Sequence, residues 1–465
     1  MMTAVNQHSR NQQSRELLRE AWDDFIDNIQ SARDAIDQSE YYPPDGDDRT
    51  LAEGYRYLAG FMHSAVERAF HDDANFPAFR NAISVYNKST IDNADAIYFY
   101  AAIDGRQYYR VQAKLADAQH WRGQERASSG ALAPQYLIFE LHSGPMAGDT
   151  GDLGELAPGR RTGFGSLDSS VLQLGDDGQL ELLIGPERPA GYSGNFICSR
   201  KPPRASDPGG DDRYADFISG RQLFYDWSRE EAAQLTITAL HSGGRQPAPL
   251  DSVRAARQLR KMGAIVRGQM HFWLAFYDRI LNSRGRHQEG RYAMPVNGYN
   301  RPNAASGDTG GGMSTNIYAG GIFDLGENDA LYIEARYSGE PVYTSLHLSN
   351  LWGESPDYAN HQSSLNGFQM AMGADGVQRW VVAHRDPGVP NWIDTTGLRR
   401  GYLSNRWAYP ELPDEDQWPT ISARKVAFSD ISGCFPADTP SVTPAERRTA
   451  IAERQSHVQR RFRVF

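Results

Sequence analysis

The spacing of apolar residues switches twice from that of helices to that of strands, and this alternation bounds the fold more tightly than any single motif does. Leu17, Leu18, Ala21, Trp22, Phe25, Ile26 and Ile29 recur at helical spacing, which predicts an amphipathic helix over residues 14–37. A polar, Pro-containing stretch from Ser39 to Asp48 follows. Thr50 and Glu53 then form a capping-box pattern, in which each side chain satisfies an end amide. Leu51, Tyr55, Leu58, Phe61, Met62, Ala65, Val66 and Phe70 extend that second helix on one face.

From Asn93 the period becomes that of strands. Ala96–Ile103 and Gln107–Ala113 flank Asp104-Gly105, a hairpin turn signal. Tyr136–Leu141, Leu180–Ile184, Asn195–Cys198, Gln222–Trp227 and Gln234–Leu240 read as further strands. Gly144–Gly165 and Lys201–Arg213 read as loops, and the whole as an antiparallel sandwich with long connections. Residues 251–283 return to helical spacing through Val253, Leu259, Met262, Val266, Met270, Trp273, Phe276 and Ile280, predicting a helix that bridges two β regions. After a Gly-, Asn- and Pro-rich stretch, Ala330–Tyr337 and Val342–Ser349 alternate as strands. Gly367–Met372 and Val377–His384 are expected to pair across Ala374-Asp375-Gly376. Thr443, Pro444 and Glu446 start a last helix with a capping box; its many Arg residues predict a basic, solvated tail.

A chain of 465 residues exceeds one small domain, and 23 Tyr, 19 Phe and 9 Trp are enough for two cores. The expected class is α+β, mostly β, with two antiparallel β-sandwich or jelly-roll-like domains and N-terminal, bridging and C-terminal helices. The expected divisions are a helical region at 1–92, a first sandwich at 93–248, a bridging helix at 249–290, a second sandwich at 291–442 and a helix at 443–465. A net charge of −10 without a basic stripe argues against a nucleic-acid partner. No run of about 18 apolar residues predicts a membrane span. The polar start from Met1 to Arg19 lacks a signal-peptide core. Cys198 and Cys434, the two cysteines, read as free thiols of a cytosolic protein.

Within Tyr318–Trp407 lie YAGGIFDLGENDALYIEARY, LSNLWGESPDYANHQSSLNG and VVAHRDPGVPNWIDTTGLRRGYLSNRW. His384-Arg385-Asp386-Pro387-Gly388, Asn391-Trp392-Ile393-Asp394 and Arg406-Trp407 are the most specific pieces. This stretch resembles the family called domain of unknown function 1214, and residues 93–240 take the position of the domain of unknown function 1254 that precedes it in some relatives. The resemblance implies a β-sandwich or jelly roll and carries no established mechanism, so candidate sites rest on residue chemistry.

The densest polar set is His384, Asp386, Asp394 and Arg406, with Trp392, Asn391 and Arg399 beside it. Imidazole, carboxylate and guanidinium groups together suit acid–base work on an anion or carbonyl, with His384 or Asp386 moving a proton and Arg406 steadying charge. The plain alternative makes Asp386 a turn cap and pairs Asp394 with Arg406. A second set, Asn350, Trp352, Glu354, Asp357, His361 and Asn366, offers Trp352 as a pocket wall or as a plug at the sandwich end. Arg221 in RQLFYDW is either a strand-end ion pair or a cleft residue between domains. His347, Glu354, His361 and His384 lack metal-ligand spacing, so neither a metal nor another cofactor is expected. Ser306–Gly312 and Gly163–Ser166 match neither a phosphate loop nor a nucleophile elbow. The leading expectation is a cytosolic, non-redox enzyme acting on a small organic molecule in a cleft of the C-terminal domain. The alternatives are a non-catalytic small-ligand binding or assembly protein and a purely structural partner; a homo-oligomer is left open.

Overall fold

The computed structural model describes residues 2–38, 47–157, 159–205, 208–279, 294–304 and 316–462, with side chains from residue 11. The Gly-rich run Ser306–Gly312 lies outside the described residues. Helices α1 (Met2–Gln38) and α2 (Asp48–Phe70) come first. The first sandwich follows with β1 (Arg80–Ile83), β2 (Ala96–Ala102), β3 (Tyr109–Lys114), β4 (Tyr136–Ser143), β5 (Thr162–Asp168) and β6 (Gln179–Gly185). It continues with β7 (Asn195–Cys198), β8 (Arg200–Lys201), β9 (Arg213–Tyr214), β10 (Phe217–Leu223) and β11 (Thr236–Ala239). Helix α3 (Ser252–Tyr277) leads to the second sandwich, β12 (Asn316–Asp324), β13 (Asp329–Arg336), β14 (Tyr343–Ser349), β15 (Ser364–Asn366) and β16 (Gln378–Ala383). Strands β17 (Trp392–Asp394), β18 (Arg400–Ala408) and β19 (Thr420–Ala427) complete it, and α4 (Pro444–Arg461) ends the described fold.

The α+β, mostly β class is what the chain adopts. In the first sandwich a sheet ordered β1-β2-β10-β4-β5 packs on one ordered β11-β3-β6-β7. Phe99, Leu137, Phe139 and Ile218 from one sheet meet Tyr109, Val111, Leu182 and Ile184 from the other in a shared core. The second sandwich pairs β12-β18-β14-β15 with β17-β16-β13-β19 over Ile317, Leu346, Leu403, Trp407, Ile333, Trp380 and Val382. The pairing is not wholly antiparallel: β6 runs parallel to β7, and β16 parallel to β17.

Two expected hairpins do not form. Strands β2 and β3 lie in opposite sheets, so Asp104-Gly105 turns a corner of the sandwich rather than a hairpin. Close packing requires glycine there, because a Cβ on Gly105 would stand 2.7 Å from the Ala215 backbone. Residues 367–372 are not a strand, and β16 instead lies between β13 and β17. An isolated Met372–Gln378 bridge and a bond from Trp380 Nε1 to Met370 Sδ at 2.7 Å tie it to that segment.

Helices α1, α2 and α3 form a layer around Phe25, Tyr57, Phe61, Val266, Met270 and Phe272, joined by Ile322, Trp352 and Tyr402 of the second sandwich. The N-cap of α2 is Asp47, which accepts from the Thr50 amide at 2.7 Å. Thr50 therefore sits inside the helix, and Glu53 turns inward to accept from Asn350 Nδ2 at 3.0 Å. The α4 capping box forms as expected, but the helix is not a solvated tail. Arg454, His457 and Arg461 are buried. Arg454 donates to the Tyr358 and Ser364 carbonyls at 2.8 and 3.1 Å, and Arg461 donates to the Ala94 carbonyl at 2.5 Å. Cys198 and Cys434 are free thiols. Among the described residues no helix is long and apolar enough to cross a membrane.

Candidate functional site

Strand alternation gives each sandwich a second, polar face, and these two faces meet. On the first sandwich, the residues opposite the core are Tyr98 and Tyr100 of β2, Phe217, Ser219 and Arg221 of β10, and Tyr136, Glu140 and His142 of β4. Arg221 pairs in register with Tyr98 and Ile138, Ser219 with Glu140, and Phe217 with His142. On the second sandwich, Tyr318 of β12, Arg406 of β18 and Ser345 of β14 form one row, and Tyr343 and His347 flank Ser345 on β14. Ala96 and Leu223 pack against Tyr343 and Ala408 across the junction, with Tyr98, Tyr136 and Tyr225 around them.

One half of the junction is closed by hydrogen bonds. Asp95, fully buried, accepts from Trp227 Nε1 at 2.9 Å, Asn366 Nδ2 at 3.0 Å and the Tyr343 hydroxyl at 2.5 Å. His347 Nε2 lies 3.2 Å from the same hydroxyl. Burial holds His347 well below its ordinary pKa, with the charges of Arg406 and Arg454 adding to the shift, so the ring is neutral. The carboxylate is satisfied by donors from both sandwiches, which makes this half a structural lock.

In the other half the polar side chains are only partly buried. Arg161, just before β5, lies over the Phe217 ring at 5.3 Å, Arg221 over Tyr98 at 5.8 Å and Arg406 over Tyr318 at 5.9 Å. Stacking on a ring fixes the plane of a guanidinium while leaving its edge available. The Arg221 side chain is 13% exposed and meets Glu140 at 3.5 Å. Arg161 has no ion pair within 4.0 Å among the described residues, and its Nε has no partner. Of the acids whose charge acts on Arg161, Glu140 is paired with Arg221 at 3.5 Å and Asp149 with Arg68 at 2.5 Å. Arg406 donates to the Ile91 carbonyl at 2.6 Å and leaves Nε unpartnered. Ile91 has φ 53° and the adjoining Thr90 φ 68°, uncommon values for β-branched residues. His142 stacks on Phe217 at 5.5 Å. Burial, then Arg161 and Arg221, lower its pKa to about 3. Burial lowers the Arg161 pKa as well, and raises that of Tyr98, so its phenol stays protonated. On the β5 side the face is bare: a Cβ on Gly163 would meet only His142, at 3.8 Å.

The residues singled out from the sequence do not converge on one point. His384 sits at the end of β16, with Nδ1 2.7 Å from the Thr395 hydroxyl and Nε2 3.2 Å from the Leu325 carbonyl. Since a carbonyl only accepts, Nε2 carries the proton and both ring nitrogens are used. Asp386 caps its turn at the Gly388 amide at 2.9 Å and pairs with Arg447 of α4 at 2.9 Å. Trp392 lies under the same Arg447 at 5.4 Å and donates to the Ala383 carbonyl at 3.1 Å. Asp394 pairs with His361 at 2.8 Å rather than with Arg406. Asn391, at φ 55°, bonds the backbone of Ala371 and Arg379. Arg399 is exposed, 3.5 Å from Asp324. Trp352 is buried against α2, donating to the Thr50 carbonyl at 2.7 Å. Of these, Arg406 reaches the junction of the sandwiches, and Asn366 of the second set lies in its closed half on Asp95. Arg221 is ion-paired with Glu140, on the face of the first sandwich that meets the second.

Arg161, Glu140, His142, Tyr98, Tyr136 and Tyr318 escape a motif search because three strands far apart in the chain and a loop contribute them. The available signal is two-faced alternation. Tyr98 with Tyr100, Glu140 with His142, and Ser219 with Arg221 occupy alternate positions on strands whose other face is core. Among the described residues, no group of three or more His, Cys, Asp and Glu is placed to hold a metal.

No family model matches the chain, and no curated protein matches it either. An uncharacterized protein from Burkholderia cenocepacia, solved by crystallography, is similar over 90% of this chain and 99% of its own, at 24% identity and a TM-score of 0.70. A crystal structure from Vibrio parahaemolyticus covers 85% of this chain at 11% identity, with a TM-score of 0.39. The arrangement of sandwiches and helices is therefore shared with the Burkholderia protein, as a fold.

Proposed function

We propose that the protein binds a small organic anion in the recess between the two sandwiches. The observation that carries this is Arg161: a recessed guanidinium, stacked on Phe217 beside Arg221, with no carboxylate partner among the described residues. A cation held out of water without a counter-charge is costly, and a carboxylate or phosphate ligand removes that cost. Arg406, the Tyr98 phenol and the open flank at Gly163 support the same reading.

The set favours holding an anion over acid–base turnover. His142, at about 3, is neutral through the ordinary range and a weak base. Glu140 is engaged with Arg221. The resemblance of Tyr318–Trp407 to the domain of unknown function 1214 belongs to this proposal as well. So does a reducing, cytosolic setting, supported by two unbonded thiols.

The test is calorimetric titration of the purified chain with acetate, benzoate, succinate and inorganic phosphate. At least one should bind, weakening as salt rises, and Arg161→Leu should remove the binding while leaving the thermal transition in place. If no anion binds the native chain at millimolar concentration, the proposal fails.

A further inference from the structure

We propose, building on the anion-binding reading, that the ligand is an elongated dicarboxylate with an apolar middle, gripped at one end by Arg161 and at the other by Arg406.

The strand register sets the spacing. Phe217, under Arg161, and Arg221, over Tyr98, stand four residues apart on β10. At roughly 3.3 Å per residue the two rows are separated by about 13 Å. Arg406 belongs to the Tyr98 end. It stacks on Tyr318, and its charge together with that of Arg221 acts on the Tyr98 phenol. Arg161 belongs to the other end, since it lies over Phe217 at 5.3 Å, in register with His142. Cations thus stand at both ends, and Arg221, which shares the Tyr98 end with Arg406, is already paired with Glu140 at 3.5 Å.

What lies between the ends is mostly ring and hydrocarbon. Tyr98, Tyr136 and Ile138 line the first sandwich, and Tyr318 faces them from the second. A compact tetrahedral anion would meet one terminal guanidinium and leave the other without a counter-charge. Two carboxylates joined by an apolar chain or ring satisfy both and cover the aromatic floor.

Two end guanidiniums that fix the ligand's length should act as a ruler. Calorimetric titration of the purified full chain would use linear α,ω-dicarboxylates of four to ten carbons, the matching monocarboxylates and inorganic phosphate. The expected result is an affinity maximum at an intermediate length, at least tenfold tighter than the monocarboxylate of the same length. Arg161→Leu and Arg406→Leu should each erase that tenfold difference. Equal affinity for phosphate, or affinity that does not change with length, would overturn the inference. If short anions bind and depend on Arg161 without any preference for length, the dicarboxylate inference falls and the anion site stands. If nothing binds, both fall. Should either variant misfold, the length series on the native chain still decides.

Discussion

The Tyr343 hydroxyl of the second sandwich donates to Asp95 of the first at 2.5 Å, and neither residue touches solvent appreciably. The bond joins residues 248 positions apart in the chain and ties the turn before β2 to β14. Tyr343→Phe keeps the ring and deletes the donor. Leaving a buried carboxylate short of one partner costs ~1–3 kcal/mol. Urea denaturation should show a loss of that size; no change would mean that the lock does not depend on this bond.

Arg454 gives a second prediction. It donates to the Tyr358 and Ser364 carbonyls and to the Ser364 hydroxyl, at 2.8 to 3.1 Å, while its face lies over Trp227. Arg454→Met preserves length and apolar contact but orphans these acceptors. A destabilisation of ~2 kcal/mol or more is expected. Scanning calorimetry should also show one cooperative transition splitting into two as the sandwiches uncouple.

Acid sensitivity follows from the histidines. His457 donates Nδ1–H to the Trp227 carbonyl at 2.7 Å. Burial, then Arg461, Arg460 and Arg454, hold its pKa far below the ordinary 6.5. His142 is held at about 3, and His120, His271 and His347 are lowered too. The unfolded chain takes up these protons near pH 6.5 and the folded chain does not. The stability they confer is therefore present above that pH and lost as pH falls below it. Glu230, raised by burial to about 7, works in the opposite sense: its contribution is present at low pH and lost as pH rises through 7. Comparison with a single variant isolates the histidine effect. His457→Gln should flatten the decline between pH 6 and 4.5 by about one proton, ~1.4 kcal/mol per pH unit. An unchanged slope would count against a neutral, buried His457.

Asp386 and Arg406 should separate from each other. Asp386 pins the start of α4 through Arg447 and is far from the stacked guanidiniums of the recess. Asp386→Asn should cost ~0.5–1 kcal/mol, as for a partly exposed pair, and leave anion binding intact. Arg406→Lys, which loses the planar stack on Tyr318, should weaken anion binding about tenfold at near-native stability. Equal effects of both substitutions on ligand affinity would return the site to the loop after β16.

The class of the fold was legible because period-two alternation is a local signal. The topology was not. Asp104-Gly105 has the composition of a hairpin turn, yet Gly105 packs against Ala215, more than a hundred residues on, and the chain crosses to the other sheet. The basic end of the chain read as solvated because charge is normally found in water. Arg454 and Arg461 are instead buried against carbonyls and aromatic rings that only the folded junction brings together. The recess was visible at Arg221 and Arg406 alone. Polar density within a short stretch drew attention to His384–Arg406, whereas the junction takes isolated residues from many strands.

The Arg461–Ala94 bond closes a loop of 367 residues, one of the longest-range ties in the molecule. Contacts that distant in sequence carry the largest entropic cost of closure and form last. Each sandwich can therefore complete its own core before the two dock, and docking is the step that takes the arginines of α4 out of water. In the reverse direction, release of α4 is the easiest partial opening available. It would bare Asp95 and the Ser364 edge while both cores stay folded, so slow-exchanging amides within β10 and β18 should outlast those of α4 by orders of magnitude.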